Sequence, residues 1–402
     1  MHFLNIFAIL KMAPSVLRTF FFLCGCFVAF FGKHGLAQTD STRKPQTAAY
    51  GEICVPGKSP LLITPYFHYG FIIAHHPEMQ YLTQGHIQIG ELAISRPTYG
   101  EHYWNQLFNF PEPGLAFFFF DLGNPQNLGN LYAICPYIDF PFNRGTRTKI
   151  CLRAGGGMSY LEKPFDPITN YKDVAIGSHF NGFVNIRLTL KQQITKQLRM
   201  DLGISFSHTS NGAFKMPNLG LNMPTVCAGL GYSINPCPTP RKLDSLPKCD
   251  RNIFYGITVA GAISQINPAG GHYFGAGILS ANIYRRWNMK NLWNVGFEVF
   301  YNEANYQERH RTTASVTRPE YIQPALKIGY ALCVGKVSVP IEMGFYFYDQ
   351  VLGESAHMYQ HIGLRYQLTD HWLIGTELKT YFARAEFFEW GLTYRIYRKN
   401  CS

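Results

Sequence analysis

The sequence predicts an all-β protein, specifically a transmembrane antiparallel β-barrel, from its composition, an export signal and repeated residue alternation. Charged residues make up only 15% of the 402 residues, and aromatic residues another 15%. Soluble domains usually carry about 25% charged residues. The mean hydropathy of -0.08 is nevertheless too low for a bundle of membrane helices. Apolar and polar residues must therefore be interleaved, as they are in the wall of a barrel.

The first element is an N-terminal segment with the features of a signal peptide. Lys11 and Arg18 precede the apolar run 20–31, and the small residues of Gly35-Leu36-Ala37 follow it. This order predicts a signal peptide over residues 1–37, cleaved after Ala37. The alternative is an uncleaved anchor helix, but the run is too short to span a bilayer comfortably. Since no later segment is long and apolar enough to be a membrane helix, the exported chain is expected in the periplasm, outer membrane or exterior.

Charge and cysteine content narrow the classes of partner. The formal net charge is +11, but Lys and Arg are scattered, which favours attraction to acidic lipid headgroups over binding to nucleic acid. Neither the cysteines nor His75, His76 and His310 have metal-ligand spacing, so no metal or cofactor is expected. Cys237 and Cys249 flank a Pro-rich stretch and are placed to form a disulfide in an oxidising compartment.

Period-two alternation is the main signal along the rest of the chain. Val184, Ile186, Leu188 and Leu190 alternate with polar residues, which is typical of a strand with one apolar face. The same pattern recurs over 253–260, 293–301, 326–330, 341–347, 362–368 and 390–397. Because backbone hydrogen bonds cannot go unmade in hydrocarbon, a lipid-facing sheet of this kind must close.

The strands fall into two groups. We count roughly eight between Leu61 and Ile234, and roughly eight between Asn252 and Tyr397. This divides the mature chain into a first half, 38–235, a linker or periplasmic turn, 236–251, and a second half, 252–402. We favour one barrel of about 14 to 16 strands, since even numbers of this order are common in bacteria. Two eight-stranded halves are the alternative.

One predicted strand carries a polar pair on its apolar face. Leu202, Ile204 and Phe206 alternate with polar or small residues, and the apolar series continues by twos to His208 and Ser210. Both residues should therefore point toward lipid. This is the seventh strand, so with the N-terminus in the periplasm its C-terminal end lies at the outer leaflet, where lipopolysaccharide is abundant.

A serine beside a histidine has the chemistry of a nucleophile and its base. Residues two apart on a strand lie roughly 7 Å apart at Cα, within reach of a hydrogen bond if the side chains lean together. Asn211 follows at once and could donate to an oxyanion. The simpler interpretation is that His208 and Ser210 end a strand and begin a polar loop.

The segment 206–212, Phe-Ser-His-Thr-Ser-Asn-Gly, followed by 217–222, Pro-Asn-Leu-Gly-Leu-Asn, resembles the lipid A 3-O-deacylase (PagL-type) family, also called acyloxyacyl hydrolases. The resemblance is densest from Phe183 to Tyr232. It implies an outer-membrane esterase that removes an ester-linked acyl chain from lipid A of lipopolysaccharide. By this resemblance Ser210 is the nucleophile, His208 is the general base, and Asn211 or nearby backbone amides are the oxyanion donors. Asn218 matches a family asparagine beside the site.

The third member of the family's Ser-His-Glu triad is replaced. The glutamate aligns with Asn222, and an amide orients an imidazole but stabilises its cation less than a carboxylate does. This predicts slower catalysis, or none, unless a carboxylate such as Glu101 substitutes. The second half lacks a His-x-Ser pair at 379–383 and is expected to be inactive scaffold. The alternative functions are a non-catalytic pore or transporter and a structural or adhesive barrel.

Overall fold

The computed structural model describes residues 60–143, 147–236, 245–265, 269, 271–311, 317–348, 357–381 and 384–397. The predicted signal peptide and Cys237 lie outside these residues, so the leader and the Cys237–Cys249 pairing stay predictions. Within the described residues, none of the helices has the length and apolar character needed to cross a membrane.

The first eight strands close into one antiparallel barrel. They are β1 Leu61–Gly70, β2 Ile87–Ser95, β3 Glu112–Asp121, β4 Asn130–Pro141, β5 Thr148–Leu161, β6 Phe180–Gln193, β7 Leu198–Ser210 and β8 Leu221–Ile234. Each strand pairs with the next, and β8 closes on β1. A short helix, α1 Tyr103–Leu107, lies between β2 and β3, and a 3-10 helix covers Pro77–Leu82.

The next eight strands close into a second barrel. They are β9 Ile253–Gln265, β10 Tyr273–Arg286, β11 Asn291–Asn302, β12 Ile322–Val334, β13 Val337–Tyr346, β14 Met358–Gln367, β15 Trp372–Tyr381 and β16 Arg384–Tyr397. Helix α2 Glu303–His310 and a 3-10 helix Arg318–Tyr321 lie between β11 and β12. Because β16 pairs with β9 and β8 pairs with β1, our preference for one large barrel is wrong. The alternative of two eight-stranded halves is confirmed.

Both lumens are filled by paired charges. In the first barrel, the buried Glu91 carboxylate accepts hydrogen bonds from His68, Arg153 and Arg187 at 2.6 to 3.1 Å. In the second, Lys327 bonds Glu298 and Glu342 at 2.9 and 2.8 Å. Isolated buried charges are very costly, so such groups occur as pairs and networks. The outward faces, in contrast, expose large apolar side chains on both barrels.

The two ends of each barrel differ in the length of their connections. Turns 194–197, 287–290, 335–336 and 368–371 are short and lie at the end where β1 begins and β16 ends. The connection 96–111, which carries α1, lies at the same end and is a long exception. The longer connections 71–86, 162–179, 211–220 and 303–321 lie at the opposite end. Outer-membrane barrels have short periplasmic turns and longer outer loops, which makes the second end the outer one.

The barrels contact each other at both ends, so they lie side by side. At the periplasmic end, α1 and the residues after it pack on the β12–β13 hairpin, where Phe108, Tyr330 and Val334 share one buried cluster. At the outer end, the Met216 amide donates to the Gln265 side chain at 2.9 Å. The rings of Phe214 and Tyr273 lie 5.3 Å apart there.

Candidate active site

The outward face of β7 carries His208 and Ser210 at its outer end. Side-chain exposure alternates along the strand, with Phe206 38% exposed and Ser207 2% exposed. His208 and Ser210 share the parity of Phe206, and they pair with Val184 and Gly182 on β6. The period of the strand therefore places both side chains on the lipid-facing side, at the level of the outer loops.

Ser210, His208 and Asn222 form a continuous hydrogen-bonded chain. The Ser210 hydroxyl lies 3.0 Å from Nε2 of His208, and Nδ1 of His208 lies 2.7 Å from Oδ1 of Asn222. The pairing of β7 with β8 sets the second contact, because His208 and Asn222 are direct partners across the two strands. With its Nδ1 proton donated to Asn222, the imidazole presents the lone pair of Nε2 to the hydroxyl. This is the arrangement in which a histidine accepts a serine proton.

Asn211 and Asn218 hold the chain immediately after Ser210. The side-chain oxygen Oδ1 of Asn218 accepts the Asn211 backbone N–H at 2.9 Å. The Asn211 side-chain amide donates to the Ser178 hydroxyl at 2.9 Å and to the Lys215 carbonyl at 2.7 Å. Both amide hydrogens of Asn211 are thus engaged in bonds to the protein.

His75 also reaches the site, a contact that the sequence pattern does not predict. Its Nδ1 lies 3.2 Å from the Asn222 side-chain nitrogen, and its Nε2 lies 3.1 Å from the Leu219 carbonyl oxygen. The segment that carries it continues along β8 after β1 ends, with the Ile73 amide donating to the Asn222 carbonyl at 2.9 Å. No spacing signal indicates this contact, because residues 75 and 222 meet only when β8 closes on β1.

Glycines surround the Ser210 hydroxyl and bring neighbouring groups close. Gly220 has a φ of +77°, and a Cβ there would lie 2.9 Å from the His208 ring and 3.3 Å from Cβ of Ser210. Gly182, opposite Ser210, and Gly212 lie beneath the ring of Phe388 from the second barrel. Ser210 is consequently only 8% exposed.

An apolar groove of about 560 Å³ begins beside this site. Phe206 and Pro224 line it. They pair across β7 and β8, two residues along the strands from the His208–Asn222 pair and toward the periplasmic end. The other apolar side chains in its lining are Tyr69, Phe71, Leu152, Ile186, Leu188, Ile204 and Val226. Its mainly apolar lining suits an alkyl chain.

The carboxylate suggested as a substitute does not reach the site. Glu101 lies between β2 and β3, at the periplasmic end, where it accepts the backbone N–H of Tyr99 at 3.0 Å. Asn222 is therefore the side chain that contacts His208 Nδ1. In the second barrel, Lys379 points into the lumen and pairs with Glu386 at 2.7 Å.

A cluster of possible metal ligands lies in the lumen of the second barrel. One ligand atom each of Glu342, His361 and Glu377 lies within 4.8 Å of the others. Both carboxylates already pair with Arg365, at 3.0 Å for Glu342 and 2.6 Å for Glu377. The cluster is therefore part of the ionic network that fills the lumen.

Two protein-family models match the chain, one for each barrel. "Lipid A 3-O-deacylase (PagL)" matches residues 89–231. "Acyloxyacyl hydrolase, C-terminal domain" matches residues 253–399. No curated protein matches the chain.

Several solved outer-membrane proteins are similar to the chain at low identity. The outer-membrane enzyme PagL is 15% identical, with a TM-score of 0.29 over 42% of this chain and 97% of that chain. Neisserial surface protein A is 9% identical, with a TM-score of 0.30 over 44% of this chain and 99% of that chain. A mutant Rh. blastica porin is 10% identical, with a TM-score of 0.19 over 84% of this chain and 99% of that chain.

Proposed function

Because the chain belongs to the lipid A 3-O-deacylase (PagL) family and resides in the outer membrane, we propose that it is a serine esterase that removes an ester-linked acyl chain from lipid A of lipopolysaccharide. The observation that carries the proposal is the chain of hydrogen bonds from Ser210 through His208 to Asn222 on the outward face of the first barrel. Since Ser210 ends β7 on the side of the longer connections, the proposal assigns its hydroxyl to the depth of the outer leaflet, which holds lipopolysaccharide.

The proposed mechanism begins with proton transfer from Ser210 to His208. The Ser210 oxygen attacks the ester carbonyl carbon as its proton passes to Nε2 of His208, and a tetrahedral oxyanion forms. Asn222 holds the imidazole in the required orientation through Nδ1. Backbone N–H groups of the turn at Gly212 and Ala213 are the proposed oxyanion donors.

Collapse of the tetrahedral species then completes the first half of the reaction. The sugar oxygen leaves with the proton from His208, and the acyl group stays on Ser210 as an ester. A water molecule, deprotonated by His208, attacks this acyl ester and releases a fatty acid and free serine. The apolar groove beside Phe206 and Pro224 is proposed to hold the acyl chain through both steps.

The composition of the lumens argues against a passive pore. Glu91, Arg153 and Arg187 cross the first lumen as a buried network, and Lys327, Glu298 and Glu342 do the same in the second. An eight-stranded barrel has room for little more than its own inward side chains. We therefore rank the esterase above a pore or a purely structural barrel.

Ser210→Ala tests the proposal directly. Purified wild-type protein in lipopolysaccharide-containing vesicles is expected to release fatty acid, and the variant to lose at least about a thousandfold in rate, because nucleophile removal disables the triad as a unit. Mass spectrometry of the lipid A measures the mass lost and the position cleaved. Ser207→Ala, three residues earlier on β7 and on the lumen face, is the matched control. Equal fatty-acid release by wild type and Ser210→Ala would refute the proposal.

A further inference from the structure

We propose that His75 is a positioning residue, which fixes the orientation of the Asn222 amide and thereby the protonation pattern of His208. This inference rests on the proposed esterase function. It concerns a residue outside the Ser-His-Asn chain, carried by the segment that follows β1.

A carboxylate and an amide differ at the third position of such a site. Both oxygens of a glutamate accept hydrogen bonds, so either one suits the Nδ1–H of a histidine. An asparagine has one accepting end and one donating end. If Asn222 turned its nitrogen toward His208, Nδ1 would have to accept, the proton would move to Nε2, and the ring could no longer take the proton of Ser210. The replacement of the glutamate therefore creates a need for something that selects the amide orientation.

The Leu219 carbonyl oxygen determines which nitrogen of His75 carries the proton, and this in turn selects the orientation of the Asn222 amide. A carbonyl oxygen only accepts, so Nε2 of His75, 3.1 Å away, carries the proton of the neutral ring. Nδ1 of His75 is then an acceptor, and it lies 3.2 Å from Nδ2 of Asn222. The amide must donate to His75, which turns Oδ1 toward His208 at 2.7 Å. Nδ1 of His75 also lies 3.3 Å from the Ile73 carbonyl oxygen, a contact that is longer than the Leu219 bond.

The backbone around His75 supports a fixed position for its ring. The Phe71 and Ile73 amides donate to the carbonyls of Pro224 and Asn222, which continues the β1–β8 pairing beyond the barrel wall. The His75 amide then donates to the Ile73 carbonyl at 3.1 Å. The ring thus lies beside Asn222 because of main-chain bonds that a substitution of its side chain leaves in place.

The test is a double-mutant cycle between His75 and Asn222. His75→Ala is expected to lower kcat about tenfold in the wild-type background, with KM changed less than twofold. Asn222→Glu is expected to raise kcat by about tenfold, because a carboxylate stabilises the imidazolium better than an amide. In the Asn222→Glu background, His75→Ala is expected to change kcat by less than twofold, since either carboxylate oxygen can accept the Nδ1–H of His208.

His76→Ala is the matched control for this cycle. His76 is the next residue and its ring contacts that of His75, with centroids 4.9 Å apart. The substitution His76→Ala should leave kcat unchanged in both backgrounds. An equal loss for His75→Ala in both backgrounds would show a merely structural role, and no loss in the wild-type background would refute positioning altogether.

The tautomer of His208 provides a readout that does not depend on turnover. In ¹⁵N-histidine-labelled protein in detergent micelles, NMR should find the His208 proton on Nδ1 and the His75 proton on Nε2. His75→Ala should transfer part of the His208 population to the Nε2–H form. An unchanged His208 tautomer would overturn the inference even if the protein proved inactive. Absence of activity in the wild type and in every variant, together with the expected tautomer shift, would reject only the esterase.

Discussion

Single residues decide the chemistry at the outer end of β7. Side-chain parity alone places His208 and Ser210 on the outward face, because the period of two leaves no other choice once Phe206 faces lipid. The pairing of His208 with Asn222 follows from the β7–β8 hairpin and its register. The contact with His75 could not be predicted in this way, since it joins positions 147 residues apart in sequence. Local periodicity contains no information about that distance.

Asp173 is a second residue of interest, because it lies in the outer loop that hydrogen-bonds to Gly220. Its carboxylate oxygen accepts the N–H groups of Ala175 at 2.9 Å and Ile176 at 3.4 Å. The Ala175 carbonyl in turn accepts the Gly220 N–H at 2.9 Å, next to His208. Burial raises the pKa of Asp173 to about 7, so this carboxyl changes charge near neutral pH within the outer loop 162–179.

Asp173→Asn should therefore remove a pH dependence of loop stability. Because the folded-state pKa is raised, protonated Asp173 stabilises the loop at low pH, and this contribution is lost as pH rises through about 7. Trypsin cleavage at Lys172 requires the loop to open. The ratio of wild-type to variant cleavage rates should rise about tenfold between pH 6 and pH 8, since one pKa unit corresponds to about 1.4 kcal/mol.

Asp166→Asn is the control for this measurement. Asp166 lies in the same loop, but hydrogen bonds from the Thr169 and Ile168 backbone lower its pKa, so it stays ionised over the same pH range. The ratio of wild-type to Asp166→Asn cleavage rates should therefore stay constant between pH 6 and pH 8. A constant ratio for Asp173→Asn as well would show that Asp173 does not titrate there.

At the scale of strands, the sequence predicts the positions of the strands well, but it does not predict the ion pairs between their lumen-facing side chains. The expected limits at Leu61, Ile234 and Tyr397 coincide with the ends of β1, β8 and β16. Alternation also gives the outward face of each strand. It does not give the ion pairs of the lumen, because each pair joins residues from strands that are far apart in sequence, as Glu91 of β2 meets Arg187 of β6.

The network around Glu91 couples four strands and should dominate the stability of the first barrel. Glu91 on β2 bonds His68 on β1, Arg153 on β5 and Arg187 on β6. Glu91→Gln leaves two buried guanidinium groups without their carboxylate and is expected to cost about 3 to 5 kcal/mol of unfolding free energy. Urea unfolding in lipid vesicles, followed by tryptophan fluorescence, measures this loss. The exposed Glu308→Gln on α2 should change it by less than about 0.5 kcal/mol, and a similarly small change for Glu91→Gln would contradict the network's importance.

At the scale of the whole molecule, the choice between one barrel and two is a choice of partner for β8. Its outward and inward faces would be the same whether it paired with β1 or with β9, so residue alternation cannot distinguish the two closures. The hydrogen bonds decide, with β8 on β1 and β16 on β9. Separate closure gives each half its own charged core, and it leaves the outer walls of the two barrels free to meet beside Ser210.

The contact of the two barrels at Phe388 makes the second barrel part of the environment of the site. The ring of Phe388 on β16 packs on Gly212 and Gly182. Gly212 lies two residues after Ser210, and Gly182 is the partner of Ser210 on β6. A Cβ at Gly212 would collide with that ring, and its φ of +62° adds backbone strain. We therefore expect Gly212→Ala to lower kcat at least about tenfold, which corresponds to about 1.4 kcal/mol.

Phe388→Ala should partly restore a Gly212→Ala enzyme, because it removes the collision and leaves only the backbone strain. Gly220→Ala provides the control: its Cβ would crowd the His208 ring at 2.9 Å within the first barrel, so Phe388→Ala should not restore it. Fatty-acid release from lipopolysaccharide vesicles measures all five variants, the three single and two double substitutions. Equal restoration of both glycine variants, or of neither, would mean that Phe388 does not act through Gly212, and the second barrel would then have no direct effect on the nucleophile.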